Sequence, residues 1–96
     1  MTPEGKIKKL VKDLLAKYDV FYYMPIPSGF GGTTGIPDFC GVRRGLAFFV
    51  ETKAPGGKLT ALQKQKKELI EAAGGTWFLV DGPESLCAVQ KWLETT

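Results

Sequence analysis

The residues best suited to chemistry in this sequence are two carboxylates and a lysine, Asp38, Glu51 and Lys53. Glu51 and Lys53 close a run of apolar residues, and in an extended strand two side chains at this spacing share one face. Asp38 lies thirteen residues before Glu51, so a hairpin that turns near Arg44 brings the two carboxylates together. We expect all three side chains to converge at the end of a strand pair.

Two neighbouring carboxylates repel each other unless one binds a proton or a cation lies between them. Because such a pair offers only oxygen ligands, it predicts a hard cation, Mg²⁺ or Mn²⁺. A metal of this kind, with a lysine to stabilise charge on a phosphate, indicates phosphodiester hydrolysis. The alternative is that Asp38 is a turn residue and that Glu51 and Lys53 form a solvent-exposed pair on an edge strand.

The composition excludes several other chemistries. Histidine is absent, which removes Ser-His and Cys-His triads and histidine-based zinc sites. Cys40 and Cys87 lack the spacing of a zinc or redox motif, so we expect small buried residues in a reducing compartment. No apolar run is long enough to cross a bilayer and no signal core follows the N-terminus, which predicts a cytoplasmic protein. The net charge of +3 is compatible with a polyanionic partner but does not require one.

The hydrophobic pattern predicts an α/β fold with the element order αβββαβα. Helices are expected over 4–18, over 60–73 and from Pro83 onwards, and strands over 20–24, 38–42, 46–53 and 76–80. A glycine-rich loop over 28–35 lacks the Gly-Lys-Ser/Thr ending of a phosphate-binding P-loop. At 96 residues we expect a single domain over 1–96, with a mixed central sheet of about four strands flanked by helices.

Two segments of the chain carry a family resemblance. Gly35-Ile36-Pro37-Asp38, followed by Phe48-Phe49-Val50-Glu51-Thr52-Lys53, resembles the signature of the PD-(D/E)XK nucleases, which have a restriction-endonuclease-like core. With Glu4, Ala54-Pro55, Gly57-Lys58-Leu59-Thr60 and Gln63 included, the pattern over 4–80 is similar to the VRR-NUC family, the virus-type replication and repair nucleases.

The resemblance implies roles for particular residues. Asp38, Glu51 and the backbone carbonyl of Thr52 would bind Mg²⁺ or Mn²⁺, and Lys53 would be the lysine of the active site. The family pattern also includes Glu4 as a further metal-site residue and Gln63 as a catalytic residue, whose roles are less defined.

Helical projection places Glu4 on the inward face of its helix, as a metal site requires. The alternative for Glu4 is that it complements the helix dipole or pairs with Lys8. The alternative for Gln63 is a capping box that begins at Thr60. The sequence leaves both alternatives open.

The resemblance further implies a structure-selective DNA endonuclease. Small stand-alone members of the family look like phage proteins of DNA repair that act as homodimers on branched DNA such as four-way junctions, in the host cytoplasm. Lys58, Lys66, Arg43 and Arg44 are the expected DNA contacts, and either Phe30 or the aromatic strand over 20–24 is the expected dimer contact. Three alternatives stay open: a DNA-binding module without activity, an interaction protein with a structural acidic cluster, and a nuclease that acts on RNA, flaps or single strands.

Overall fold

The computed structural model describes residues 1–26 and 34–96. The elements are α1 Pro3–Leu15, β1 Phe21–Tyr23, β2 Phe39–Arg43, β3 Leu46–Thr52, α2 Ala61–Ala72, β4 Thr76–Val80 and α3 Pro83–Thr95. The predicted αβββαβα order is confirmed. Most of the predicted glycine-rich loop, and Phe30 as a candidate dimer contact, lie outside the described residues.

The four strands form one mixed sheet in the order β1-β2-β3-β4. The pairs β1/β2 and β2/β3 are antiparallel, whereas β3 and β4 run parallel because α2 crosses between them. The sheet is flanked by helices on both faces, so the expected α/β layer architecture is confirmed.

The hairpin between β2 and β3 sets the register on which the predicted site depends. Phe39 pairs with Val50, and Arg43 pairs with Leu46. The two loop residues between them, Arg44 and Gly45, have φ values of 49° and 83°, the conformation of a type I′ turn. One step beyond the Phe39 pair, the same register sets Asp38 opposite Glu51, which is the arrangement that the sequence predicts.

The core lies between the sheet and the pair of helices α1 and α3. Ten residues form one buried apolar cluster: Ile7, Val11, Leu14, Leu15, Phe39, Phe48, Val50, Val80, Val89 and Leu93. Trp92 of α3 packs against it, with its ring centroid 5.5 Å from that of Phe48. Burial of these side chains provides the main driving force for folding, and it holds α1 and α3 rigidly against one face of the sheet.

The opposite face of the sheet is only partly covered. Helix α2 contributes no buried residue, and its Leu69 and Ile70 border an apolar groove of about 290 Å³ beside Phe49. Towards the β1 edge this face carries Phe21 and Tyr23, which are 68% and 57% exposed. Apolar surface of this kind is available for contact with another macromolecule.

Some element ends differ from the predictions for local reasons. Helix α1 stops at Leu15 rather than residue 18, because the N–H groups of Lys17 and Tyr18 bond to carbonyls three residues earlier, as in a tightened last turn. Cys40 is buried as expected, but Cys87 lies exposed on α3, so its prediction as a buried residue is wrong. Within 1–26 and 34–96, every helix is too short and too polar to span a membrane.

Candidate metal and catalytic site

Asp38 is held in place by the residue that follows Glu51. Its Oδ2 atom accepts hydrogen bonds from the Thr52 backbone N–H at 2.9 Å and from the Thr52 hydroxyl at 2.6 Å. Thr52 is fully buried, so these donors are fixed by the packing of β3. The end of β3 therefore fixes the direction in which the Asp38 carboxylate points.

Glu51 is connected to the start of helix α2. Its Oε2 atom accepts a hydrogen bond from Nε2 of Gln63 at 2.6 Å. The same glutamine accepts from the Thr60 N–H through Oε1, while its own N–H donates to the Thr60 hydroxyl. This reciprocal pair is a capping box. Both alternatives for Gln63 are therefore present as contacts: it caps the helix and it touches Glu51.

The carboxyl groups of Asp38 and Glu51 lie within hydrogen-bonding reach of each other. Burial, helped by the hydrogen bond to Asp38 and by its negative charge, raises the pKa of Glu51 to about 8. Burial alone would raise the pKa of Asp38 as well, but the hydrogen bonds with Glu51 and from Thr52 outweigh it, and the pKa of Asp38 is lowered. A proton on Glu51, which the raised pKa favours at neutral pH, relieves the repulsion between the two carboxyl groups.

Lys53 follows on the same strand and lies half-buried beside this pair, where its positive charge opposes the rise in the Glu51 pKa. A tight turn begins immediately after it. The Gly57 N–H donates to the Ala54 carbonyl at 2.8 Å, and Gly56 has a φ of 82°, which with Pro55 before it is a type II turn. A Cβ on Gly57 would lie 3.2 Å from the Lys53 Cβ. The turn therefore packs closely against the lysine stem.

Gly35 provides a second close approach, on the other side of the site. Its φ is 80°, and a Cβ there would lie 2.6 Å from the backbone carbon and oxygen of Leu62 and 2.9 Å from the backbone nitrogen of Gln63. Glycine therefore lets the segment before Asp38 rest directly on the first turn of α2. This contact fixes the distance between the strand that follows Asp38 and the helix that carries Gln63.

Glu4 lies in the first turn of α1, where Thr2 caps the helix. Its carboxylate is connected to Asp38 by an ion pair that each acid forms with Lys8. The Lys8 Nζ lies 4.0 Å from Glu4 Oε2 and 3.9 Å from Asp38 Oδ1. Glu4 still contributes to raising the Glu51 pKa. In the described part of the chain, no three histidine, cysteine or acidic side chains come together as a metal-binding group. The expected pairing of Glu4 with Lys8 is thus present alongside its orientation towards the site.

The donor set of the site fits a hard divalent cation. The Asp38 and Glu51 carboxyl groups meet at one point, and a cation there, in place of the proton that the raised pKa of Glu51 favours, would meet two carboxylate oxygens. Among residues 1–26 and 34–96, the nitrogen atoms that contact them belong to the N–H donors of Thr52 and Gln63 and the ammonium of Lys8, so the available ligands are oxygens, as Mg²⁺ and Mn²⁺ prefer. The expected carbonyl ligand from Thr52 belongs to the residue that already orients Asp38. The two carboxylates form the minimal protein part of a site that solvent or a phosphate completes.

The predicted DNA contacts fall into two groups. Lys58 is exposed on the loop that follows Lys53, and Lys66 is half-buried on α2, one turn after Gln63. Arg44 lies at the opposite end of β3, in the hairpin turn, where its Nη1 donates to the Thr96 carbonyl at 2.9 Å. Lys58 and Lys66 are the two whose positions in the chain are close to Lys53 and Gln63.

Arg43, one of the predicted DNA contacts, is buried rather than exposed. It is only 6% exposed, its Nη1 donates to the Asp19 carbonyl, and its guanidinium stacks over the Tyr18 ring. The strand register explains the difference, because position 43 points to the side of the sheet that carries Phe39 and Gly41. Its guanidinium is therefore held inside the protein, where Nε has no hydrogen-bond partner among the described residues.

Three contributors to the site were missed from the sequence: the Thr52 side chain, Lys8 and Gly35. The sequence predicts a role only for the backbone carbonyl of Thr52. The alternation of side chains along a strand does not show that Asp38 reaches the Thr52 hydroxyl. Lys8 lies four residues after Glu4, a spacing that signals a helical ion pair but not a contact with Asp38. The Gly-x-Pro-Asp pattern contained the signal for Gly35.

Comparison with solved structures identifies the fold of this chain as a known one. A solved structure described as a VRR_NUC domain superimposes with a TM-score of 0.71, covering 99% of this chain and 94% of the other at 22% sequence identity. No family model matches the sequence, and no curated protein matches it. The VRR-NUC fold that the sequence resemblance implies is therefore confirmed.

Proposed function

We propose that this protein is a Mg²⁺- or Mn²⁺-dependent DNA endonuclease that hydrolyses phosphodiester bonds at the Asp38, Glu51 and Lys53 site. The single observation that carries the proposal is the pairing of the Asp38 and Glu51 carboxyl groups at the end of a strand that continues into Lys53. A buried carboxylate pair is costly unless a proton or a cation joins it. The nuclease-type fold agrees with a phosphate as the group to be attacked.

Each side chain has a role that follows from its contacts. Asp38 and Glu51 hold the divalent ion, which when bound polarises a phosphoryl oxygen and makes water a better nucleophile. Thr52 keeps the Asp38 carboxylate oriented through two hydrogen bonds, and Gln63 does the same for Glu51 through one. Lys53 places an ammonium beside the carboxylates, where it stabilises negative charge that develops on the phosphate.

The substrate we propose is branched DNA, such as a four-way junction, cut by a homodimer. Lys58 and Lys66 lie close to the site residues in the chain and would bind phosphates of the DNA backbone without reading sequence. The exposed aromatic side chains of β1, Phe21 and Tyr23, provide an apolar surface for a two-fold contact between copies. Symmetric cleavage then follows from two sites related by one axis. We propose the cytoplasm as the compartment, because the proposed substrate is DNA inside the cell.

A substrate panel tests the proposal. The purified chain is incubated with four-way junction, flap, single-stranded and duplex DNA and with RNA, in Mg²⁺, in Mn²⁺ and with a chelator. The expected result is metal-dependent cleavage that is strongest on the junction and is lost in Lys53→Ala but retained in Lys91→Ala, an exposed lysine of α3.

Other outcomes of the panel separate the rival functions. Binding of DNA without cleavage in either metal would contradict the enzyme proposal and leave a DNA-binding module. Preferential cleavage of flaps, single strands or RNA would support the catalytic site but contradict branched DNA as its substrate. Sedimentation of the same sample tests the dimer, which predicts a mass twice that of the 10.5 kDa chain.

A further inference from the structure

We infer that Lys8 is a fixed cation of the candidate site, which takes the place of a second metal and limits the site to one divalent ion. The inference rests on the proposed function, because it assumes that Asp38 and Glu51 hold a metal. It assigns a positioning role to a residue of α1 that is outside the Asp38, Glu51 and Lys53 set.

The position of Lys8 is defined by two carboxylates from different elements. Its Nζ lies 3.9 Å from Asp38 Oδ1 and 4.0 Å from Glu4 Oε2. Glu4 is one helical turn earlier on α1, whose start is fixed by the Thr2 cap. Asp38 comes from the segment that enters β2. The Lys8 side chain is one-third exposed, and its ammonium lies at nearly equal distances from the two acids, as a shared counter-ion does.

The free oxygens of Asp38 explain why this position matters. Oδ2 already accepts two hydrogen bonds, both from Thr52. A second metal on the α1 side of the site would therefore depend on Asp38 Oδ1 together with Glu4 Oε2. Those are the two atoms that Lys8 faces, and its ammonium repels a divalent cation placed beside it. The ion held by Asp38 and Glu51 has the full charge of the Glu51 carboxylate to offset this repulsion, whereas a second ion would have only Glu4 and an Asp38 carboxylate shared with the first ion. Glu4 is thereby kept from acting as a metal ligand.

The balance of charge points in the same direction. With Glu4, Asp38 and Glu51 ionised, three negative charges face Lys8, Lys53 and one divalent ion. The net single positive charge matches the single negative charge of a phosphodiester. A second divalent ion would leave an excess of three positive charges around one phosphate. Lys8 therefore supplies the positive charge on the Glu4 side without a second metal.

Counting bound Mn²⁺ tests the inference directly. The number of ions per chain is measured by calorimetry and by the electron paramagnetic resonance of free Mn²⁺, without DNA, so that the readout does not depend on cleavage. The wild-type chain is expected to bind one ion. Lys8→Met, and Lys8→Gln as a second variant, are expected to bind two, because Glu4 and Asp38 Oδ1 become free. Adding Glu4→Gln to Lys8→Met should return the number to one.

Lys9→Met is the matched control. Lys9 lies on the same helix and pairs with Asp13 at 2.9 Å, so the variant removes the same charge without altering the site and should still bind one ion. Two ions on the wild-type chain, or one ion on both Lys8 variants, would overturn the role of Lys8 alone. A wild-type chain that binds no Mn²⁺ would overturn the proposed metal site, and the role of Lys8 with it.

Discussion

Gln63 joins helix α2 to Glu51: its Nε2 atom donates to Glu51 Oε2 at 2.6 Å while its Oε1 atom accepts from the Thr60 N–H at 2.9 Å. The amide uses its donor on the site and its acceptor on the helix. A side-chain amide at position 63 can donate to Glu51 and accept from the helix at once. An ionised carboxylate there would have no hydrogen to donate to Glu51. The start of α2 and the orientation of Glu51 are therefore set by one side chain.

Replacing Gln63 should separate these two tasks. Gln63→Ala loses both contacts, and we expect the free energy of unfolding to fall by about 1 kcal/mol and DNA cleavage to fall with it. Gln63→Glu keeps the capping acceptor but puts a second negative charge against Glu51. It should retain helix stability in the presence of metal yet cleave more slowly. Urea unfolding and a cleavage time course measure the two effects.

Gln65→Ala serves as the control for Gln63, because it is an exposed glutamine of the same helix. It should leave cleavage unchanged and alter stability only by the small difference in helix propensity. If Gln63→Ala and Gln65→Ala cleaved DNA equally well, Gln63 would have no role beyond the helix cap.

Two glycines with the same backbone conformation should respond differently to alanine. Gly35 and Gly45 have φ values of 80° and 83°, so alanine at either position pays a similar backbone cost of roughly 1 kcal/mol. At Gly45 the new Cβ meets nothing within 4 Å, whereas at Gly35 it lies 2.6 Å from the backbone of Leu62. We expect Gly35→Ala to be clearly less stable in urea than Gly45→Ala, and to cleave DNA more slowly because Gln63 is displaced. Equal losses of stability at both positions would mean that α2 can move away from residue 35 without destabilising the fold.

Thr52 should matter for its hydroxyl. Thr52→Val preserves the size of a fully buried side chain but removes the 2.6 Å hydrogen bond to Asp38 Oδ2. A hydrogen bond to a charged group contributes about 1.5 to 3 kcal/mol, so the free energy of unfolding should fall by an amount in that range. Thr76→Val, at a half-buried position on β4, is the comparison. A loss no greater than that of Thr76→Val would indicate that the Thr52 N–H alone orients Asp38.

Stability without metal should depend on pH through Glu51. The pKa of Glu51 is raised from an ordinary value of 4.5 to about 8, so between these values the folded chain holds a proton that the unfolded chain has released. The free energy of unfolding therefore falls as pH rises through this window. The lowered pKa of Asp38 acts in the opposite sense, and its contribution is lost only on acidification below its ordinary value of 3.8.

Urea unfolding across the same pH window measures the effect of Glu51. Glu51→Gln should flatten the dependence because the group no longer titrates. Mg²⁺ should reduce the loss at high pH because a metal binds the ionised form. A wild-type profile that rises between about pH 5 and about pH 8 would contradict a protonated Glu51 at the site.

The parts of the fold that depend on local pattern were predictable. The type I′ hairpin at Arg44 and Gly45 follows from the turn signal between two apolar strands, and its register alone predicts the meeting of Asp38 and Glu51. The capping box that begins at Thr60 could likewise be predicted from four residues of the sequence. Each of these features is determined by neighbours in the sequence, so tertiary packing had nothing to override.

The parts that depend on packing between distant elements were not predictable. Helix α1 and Asp38 meet just before the start of β2, which makes Lys8 a member of the site, and no periodicity shows where a helix docks along a sheet. The burial of Arg43 was not predictable for a related reason. Its position in a tight hairpin predicted exposure, but the strand continues through residue 43 and the side chain turns inward onto Tyr18.

The most direct test of the central claim is an anomalous difference map from crystals of the wild-type chain soaked in Mn²⁺. The account predicts a peak at about 2.0 to 2.4 Å from carboxylate oxygens of both Asp38 and Glu51, and no peak there in Glu51→Gln crystals. Metal-dependent cleavage by a chain whose Mn²⁺ lies elsewhere, away from both carboxylates, would contradict it.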